Sequence, residues 1–254
     1  MSDEIVTERR GPVLLITLNR PDARNAVNVA LAEQLAAALE GLDSDKELQV
    51  GVLCGAGKGF SAGMDLKAFV EGERPHIGER GFAGITRRAA EKPLIAAIEG
   101  FAVAGGLEIA LSCDLIVAAR DARLGIAEVK RGLVAAAGAL IRLPKRIPYH
   151  AAMELALTGE FIDGARAYEL GLVNRATEPG AALETALELA ERIGQNAPLA
   201  LAASKSIASQ ALDWDEAEAW RRQDEIAGPV MTSEDAREGA TAFAEKRPPE
   251  WRGR

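Results

Sequence analysis

The chain has 254 residues, enough for one large domain or a domain with a small appendage, and 48% of them are hydrophobic, so a sizeable core can be buried. A formal net charge of -8 and a pI near 5.1 argue against nucleic acid or an anionic membrane as the main partner, and 4% aromatic content weakens any base-stacking role. An anionic small molecule stays open, because a few placed cations and free backbone N–H groups bind phosphates.

In chain order, Val13 to Leu18 is a short β-rich run stopped by Asn19-Arg20-Pro21-Asp22. Asn28 precedes a segment with Leu31, Leu35, Ala38, Leu39 and Leu42 at helical spacing. Val50 to Cys54 reads as a second strand, followed by a glycine-rich turn to Gly63, and the polar stretch from Glu71 to Gly84 reads as a loop or mobile helix. Leu94 to Ile98 is a third strand, Gly105-Gly106 opens a small-residue helix to about Ser112, and Leu115 to Ala118 is a fourth strand. After Leu140 the segments 151–157, 164–170, 181–193, 199–211, 215–226 and 234–244 are all helix-like. The expectation is an α/β core in the first 140 or so residues with helices after it, and no fixed-period repeat.

Several motifs invite a site and fail on inspection. Gly55-Ala56-Gly57-Lys58-Gly59-Phe60 follows a strand, but a dinucleotide loop needs glycine where Phe60 stands, and a Walker loop needs Ser or Thr at Gly59 and glycine at Val52. Ser204-Lys205 resembles a catalytic dyad, yet adjacent helix residues face different ways, and a solvated helix face explains them better. Cys54 and Cys113 sit beside apolar residues and read as buried thiols, while His76 and His150 are too few for a polyhistidine metal site. Met1 to Arg10 lacks the apolar centre of a signal peptide and no apolar run is long enough to span a bilayer, so a soluble cytoplasmic protein is expected.

Two stretches carry more. Ala62-Gly63 in Phe60–Lys67 allows close backbone approach, and at Ala104-Gly105-Gly106 a helix begins with unpaired N–H donors. Together they fit an oxyanion hole; separately each fits a tight turn. Glu108 lies in an otherwise apolar helix, where a carboxylate must be paired, at the surface, or functional. Glu128, before Val129-Lys130-Arg131-Gly132, reads by itself as a surface or salt-bridged glutamate. Two carboxylates around one water suit acid–base chemistry, with burial and repulsion raising at least one pKa.

Taken in order, LNRPDARNAVN, GKGFSAGMDL, KPLIAAIEGFAVAGGLEIALSCD, LGIAEVKRGL and EGATAFAEKR resemble the enoyl-CoA hydratase/isomerase (crotonase) superfamily from about Val6 to Arg247. The resemblance implies an α/β fold, a crotonase-like spiral of repeated ββα units over residues 1–195, then a helical oligomerisation region over 196–254 supporting a trimer or dimer of trimers. It implies an acyl-CoA thioester substrate, with coenzyme A as part of that substrate and no other cofactor or metal. The thioester oxygen would be held by the N–H groups of Met64 and Gly105, and Glu108 and Glu128 fall at the two glutamate positions of family hydratases, twenty residues apart. Glu108 would deprotonate water and Glu128 would protonate the α-carbon. CoA would lie along Ala23, Arg24 and Ala26 and along Ala62, Gly63, Met64, Asp65 and Leu66, with Lys67, Lys246 and Arg247 near phosphates.

The departures are Ala104 for a common glycine, a mild change that should keep the turn, and Asp22 and Arg24 near the adenine segment. Ile126-Ala127 and the alanine-rich Val134–Ala139 also differ and would shape the acyl pocket. The expected activity is reversible hydration of a trans-2-enoyl-CoA. Isomerase, carnitinyl-CoA-like dehydratase, CoA hydrolase and a non-catalytic acyl-CoA binder are the alternatives.

Overall fold

The structure, a computed structural model, describes residues 3–254, so Met1 and Ser2 of the polar N-terminal stretch lie outside the described residues. β1 (Ile5–Arg10) and β2 (Val13–Leu18) form an antiparallel hairpin, and α1 (Val29–Ser44) follows, capped by Asn28, whose side chain accepts from Leu31 N–H at 2.9 Å. Next come β3 (Val50–Gly55), α2 (Leu66–Val70) and a small hairpin of β4 (His76–Ile77) and β5 (Gly81–Phe82). β6 (Leu94–Ile98), β7 (Phe101–Val103) and α3 (Gly105–Ala110) make one ββα unit, and β8 (Leu115–Ala119) and β9 (Arg123–Gly125) begin another. After a 3₁₀ turn at Glu128–Arg131 come α4 (Ala139–Arg146), α5 (Tyr149–Thr158), β10 (Ile162–Asp163), α6 (Gly164–Glu169) and β11 (Arg175–Thr177). The chain ends in α7 (Ala182–Gly194), α8 (Pro198–Gln210), α9 (Glu216–Met231) and α10 (Glu234–Glu245).

The main sheet has the order β1-β2-β3-β6-β8-β11 and is parallel throughout apart from the first hairpin. A second sheet, β10-β9-β7, is extended by a bridge from Ala102 to Ser61. Successive turns of chain thus place one strand in the main sheet and the next in the second layer, as the spiral expectation required. Residues of β2, β3, β6 and β8 are buried or half-buried on both faces, which is why these runs read as continuously apolar rather than alternating. Val13, Leu15, Val52, Ile95, Ala97 and Val117 meet α7 through Ala182, Ala186, Leu187 and Ala190. Ile16, Leu18, Leu53, Ala96 and Ile98 share the other core with Leu31, Leu35, Leu39 and Leu42 of α1 and with Leu107 of α3.

Three expectations need correction. The region after Leu140 is not purely helical: β11 completes the main sheet, and α7 covers one of its faces. The stretch from Glu71 to Gly84 is not a mobile helix or free loop but contains the β4–β5 hairpin. Arg80 there is buried, donating to Glu40 Oε1 at 2.7 and 2.9 Å and to the carbonyls of Arg88 and Ala89. Lys205 is not on a solvated face, for it pairs with Asp114 at 2.7 Å and donates to Lys92 O, docking α8 on the sheet. No described helix is long and apolar enough to cross a membrane.

Candidate functional site

Two chain segments are fastened edge to edge at one end of the sheet. Ala62 N–H donates to Arg24 O at 3.0 Å, Val27 N–H to Gly63 O at 2.8 Å and Asp65 N–H to Val27 O at 2.9 Å. Ser61 Oγ donates to Asn25 O at 2.7 Å and accepts from Gly63 N–H at 3.1 Å. The segments 23–27 and 61–66 therefore run side by side. Asn25, not singled out there, holds this arrangement together. It is 1% exposed, accepts from Arg20 N–H, and donates to the carbonyls of Ala56 and Gly59, so the glycine-rich turn after β3 is filled by Asn25. Asp65 belongs to the scaffold as well: its carboxylate caps α2 through Lys67 and Ala68 N–H and meets Arg20 at 3.1 Å.

A second contact brings Gly63 against the start of α3. Phe60 N–H donates to Phe101 O and Val103 N–H to Ser61 O. An added Cβ on Gly63, whose φ is +85°, would stand 2.6 Å from Gly105 N. Among the described residues, neither Met64 N–H nor Gly105 N–H has a hydrogen-bond acceptor. Ala104 precedes Gly105 with φ 52° and ψ -129°, so the turn is kept but the change from glycine is not mild. That backbone region strongly favours glycine, and alanine there costs about 1–3 kcal/mol. Phe82, also missed in the sequence, closes this side: a Cβ on Gly105 would meet its ring at 2.7 Å. Its place inside a polar loop gave no hydrophobic periodicity to notice.

Glu108 projects from α3 and is only 3% exposed. Its Oε1 accepts from Ala139 N–H at 3.1 Å, the first donor of α4. Its carboxyl is raised to about 7, chiefly by burial and further by the charge of Glu128, with the Ala139 and Ala137 N–H groups and Arg142 acting against them. Glu128 is half-buried and also raised, again chiefly by burial, and its Oε2 is buried without a hydrogen-bond partner among the described residues. The charge of Glu128 thus reaches Glu108. A raised carboxyl pair can carry one proton between them near neutral pH, while two unpaired N–H groups suit an oxyanion.

The cations divide. Lys67 is exposed and makes no ion pair among the described residues. Arg247, just past α10, is engaged by that helix, reaching Glu238 at 2.5 and 2.9 Å and Glu245 at 2.7 Å, which holds Glu238 down at about 2. Lys246 is exposed and caps the C-terminus of α10. Among the described residues, no hydrogen bond or ion pair ties either residue to the carboxyl pair. No three His, Cys, Asp or Glu side chains converge as a metal-holding group among the described residues.

Residues 8–254 match the enoyl-CoA hydratase/isomerase family profile. Over the full length of both chains, the protein is 54% identical, with a TM-score of 0.97, to the crystal structure of an enoyl-CoA hydratase from Mycobacterium tuberculosis. The figures for an enoyl-CoA hydratase from Mycobacterium marinum are 55% and 0.97, again with full coverage of both. A carnitinyl-CoA dehydratase from Salmonella arizonae is 42% identical over 261 residues, covering both chains completely. With the spiral fold, the paired loops and the two carboxyls in place, the chain belongs to the enoyl-CoA hydratase/isomerase family of acyl-CoA enzymes.

Proposed function

We propose that the protein is a hydro-lyase that adds water reversibly to a trans-2-enoyl-CoA, giving a 3-hydroxyacyl-CoA. The observation that carries this reading is Glu108, buried beside Glu128 with its carboxyl raised to about 7, next to two backbone N–H groups free to hold a thioester oxygen. In the proposed reaction, Met64 and Gly105 N–H donate to that oxygen and draw the conjugated π electrons toward it. Water adds to the β-carbon, losing its proton to one carboxylate, and the enolate takes a proton at the α-carbon from the other carboxyl. Oxyanion donors of this kind are each worth about 3–4 kcal/mol in the transition state.

Hydration needs one carboxyl ionised while its neighbour is protonated. Repulsion between Glu108 and Glu128 favours that state. The division of labour we propose has Glu108 ionised as base and Glu128 protonated as acid once water and thioester lie between them. Each step is an addition or a proton transfer, for which these groups suffice without a further cofactor.

We place CoA along 23–26 and 62–66, with Lys67 toward its phosphates. We assign 196–254 to association as a trimer or dimer of trimers. Neither α8 nor α9 has a buried residue, and Leu212, Trp220, Met231 and Phe243 are 61–88% exposed. In such an assembly Lys246 serves a neighbour's CoA. An acyl-CoA substrate and the acidic surface suit the cytoplasm.

The Salmonella relative favours a second reading, dehydration of a carnitinyl-type thioester by the same proton transfers at an acyl group bearing a quaternary ammonium. Turnover of crotonyl-CoA and of crotonobetainyl-CoA, measured side by side, separates the two. Preference for the uncharged acyl group supports the hydratase reading, and turnover of the cationic one alone overturns it.

A further inference from the structure

Arg142 is absent from the groups singled out in the sequence, yet it meets the site from behind. It is half-buried in the first turn of α4, the helix whose leading N–H holds Glu108. Its guanidinium folds back over the start of its own helix. Nη2 donates to Thr86 O at 2.6 Å, and Nη1 lies so close to Gly138 that a Cβ there would fall 2.0 Å from it. Gly138, with φ 116°, can turn the chain there because it carries no side chain. Among the described residues Arg142 makes no ion pair, although a partly buried guanidinium ordinarily finds a carboxylate.

We propose that Arg142 is a positioning residue for Glu108: it locks the N-terminus of α4 to the 81–86 segment, so that Ala139 N–H grips the carboxylate, and sets an unpaired positive charge behind it. The kinetic half of this inference rests on the hydratase reading. The structural half does not.

The charged groups bearing on Glu108 are few. From the turn after β9 comes Glu128, which opposes ionisation of Glu108; from α4 comes Arg142, which favours it. Burial outweighs both. Arg142 itself is lowered by burial, with Glu108 the first of the opposing charges. Removing the cation therefore raises the pH at which Glu108 ionises. If ionised Glu108 is the base, the acid limb of the hydration profile moves up with it. Arg146, one turn along α4, is lowered by burial and then by the like charge of Arg142.

The test compares full-length wild type, Arg142→Gln and Arg142→Lys in two assays. In the first, ¹³C-carboxyl NMR of glutamate-labelled protein, with Glu108 assigned through Glu108→Gln, follows its midpoint. Arg142→Gln should raise that midpoint by about half a unit or more, and Arg142→Lys should leave it close to wild type. In the second, kcat for crotonyl-CoA should fall about tenfold in Arg142→Gln with little change in KM, with partial recovery in Arg142→Lys. An unmoved Glu108 midpoint in folded Arg142→Gln overturns the positioning role. A wild type that leaves crotonyl-CoA untouched overturns the hydratase reading instead, and the NMR titration still judges Arg142.

Discussion

Replacing Gly63 by alanine would insert a methyl group between the two loops that present the free N–H groups. An ideal Cβ there stands 2.6 Å from Gly105 N, 3.1 Å from Val103 O and 3.2 Å from Ala104 Cβ. The closest approach falls about 0.8 Å short of the 3.4 Å at which ordinary contact begins, and the obstacle is backbone rather than a flexible side chain. The loops must separate by most of that distance, and a misplacement near 1 Å at reacting groups costs about 100-fold in rate. Alanine at φ +85° adds a conformational penalty of about 1–2 kcal/mol to stability. Gly11→Ala isolates that penalty, because Gly11 also has positive φ but nothing within 4 Å of its added Cβ. The assay is hydration of crotonyl-CoA by both variants, paired with urea unfolding. Gly63→Ala should lose about 100-fold in kcat, whereas Gly11→Ala loses comparable stability and keeps its rate. Equal rates in Gly63→Ala and wild type would refute the claim that the two N–H groups act as a geometric pair.

Because Glu108 is raised from 4.5 to about 7, its contribution to stability is present below pH 4.5 and is lost as pH climbs through 7, a change of ~3 kcal/mol. Glu108→Gln, free of that ionisation, should be more stable than wild type in urea at pH 8, with the gap closing toward pH 5. Ala104→Gly should relieve the positive φ and gain about 1 kcal/mol net of the glycine's added unfolded-state entropy, read as a raised urea midpoint. Asn25→Ala should cost about 2–4 kcal/mol, since it leaves the Ala56 and Gly59 carbonyls and the Arg20 N–H without their partner, and it should raise KM for the thioester.

How much of this was legible in the sequence depended on the length and regularity of each element. β2, β3, β6, β8 and the α1 cap at Asn28 were readable because apolar runs and an N-cap residue are local signals. β1 was not, since five of its six residues are exposed and it pairs as an edge strand. The two- and three-residue strands of the second layer are too short for any periodicity, and they exist because the turns of the spiral stack. α4 was missed where Pro144 interrupts a short helix. At the site, Glu108 stood out as a charge in an apolar helix. Phe82, Arg142 and the Ala139 donor gave no sign, because their part comes from contacts across 23 to 56 positions of sequence. Arg247 shows the opposite case, a basic residue in a suggestive place that Glu238 and Glu245 already hold.

The measurement that bears most directly on the central claim is loss of the enoyl-thioester absorbance of crotonyl-CoA, followed for wild type, Glu108→Gln and Glu128→Gln, with CoA-ester binding measured on each. Hydration by the wild type that falls about 100-fold or more in each variant, with binding retained, is the predicted result. Hydration that persists in both variants, or a wild type that binds crotonyl-CoA and leaves it unchanged, would contradict it.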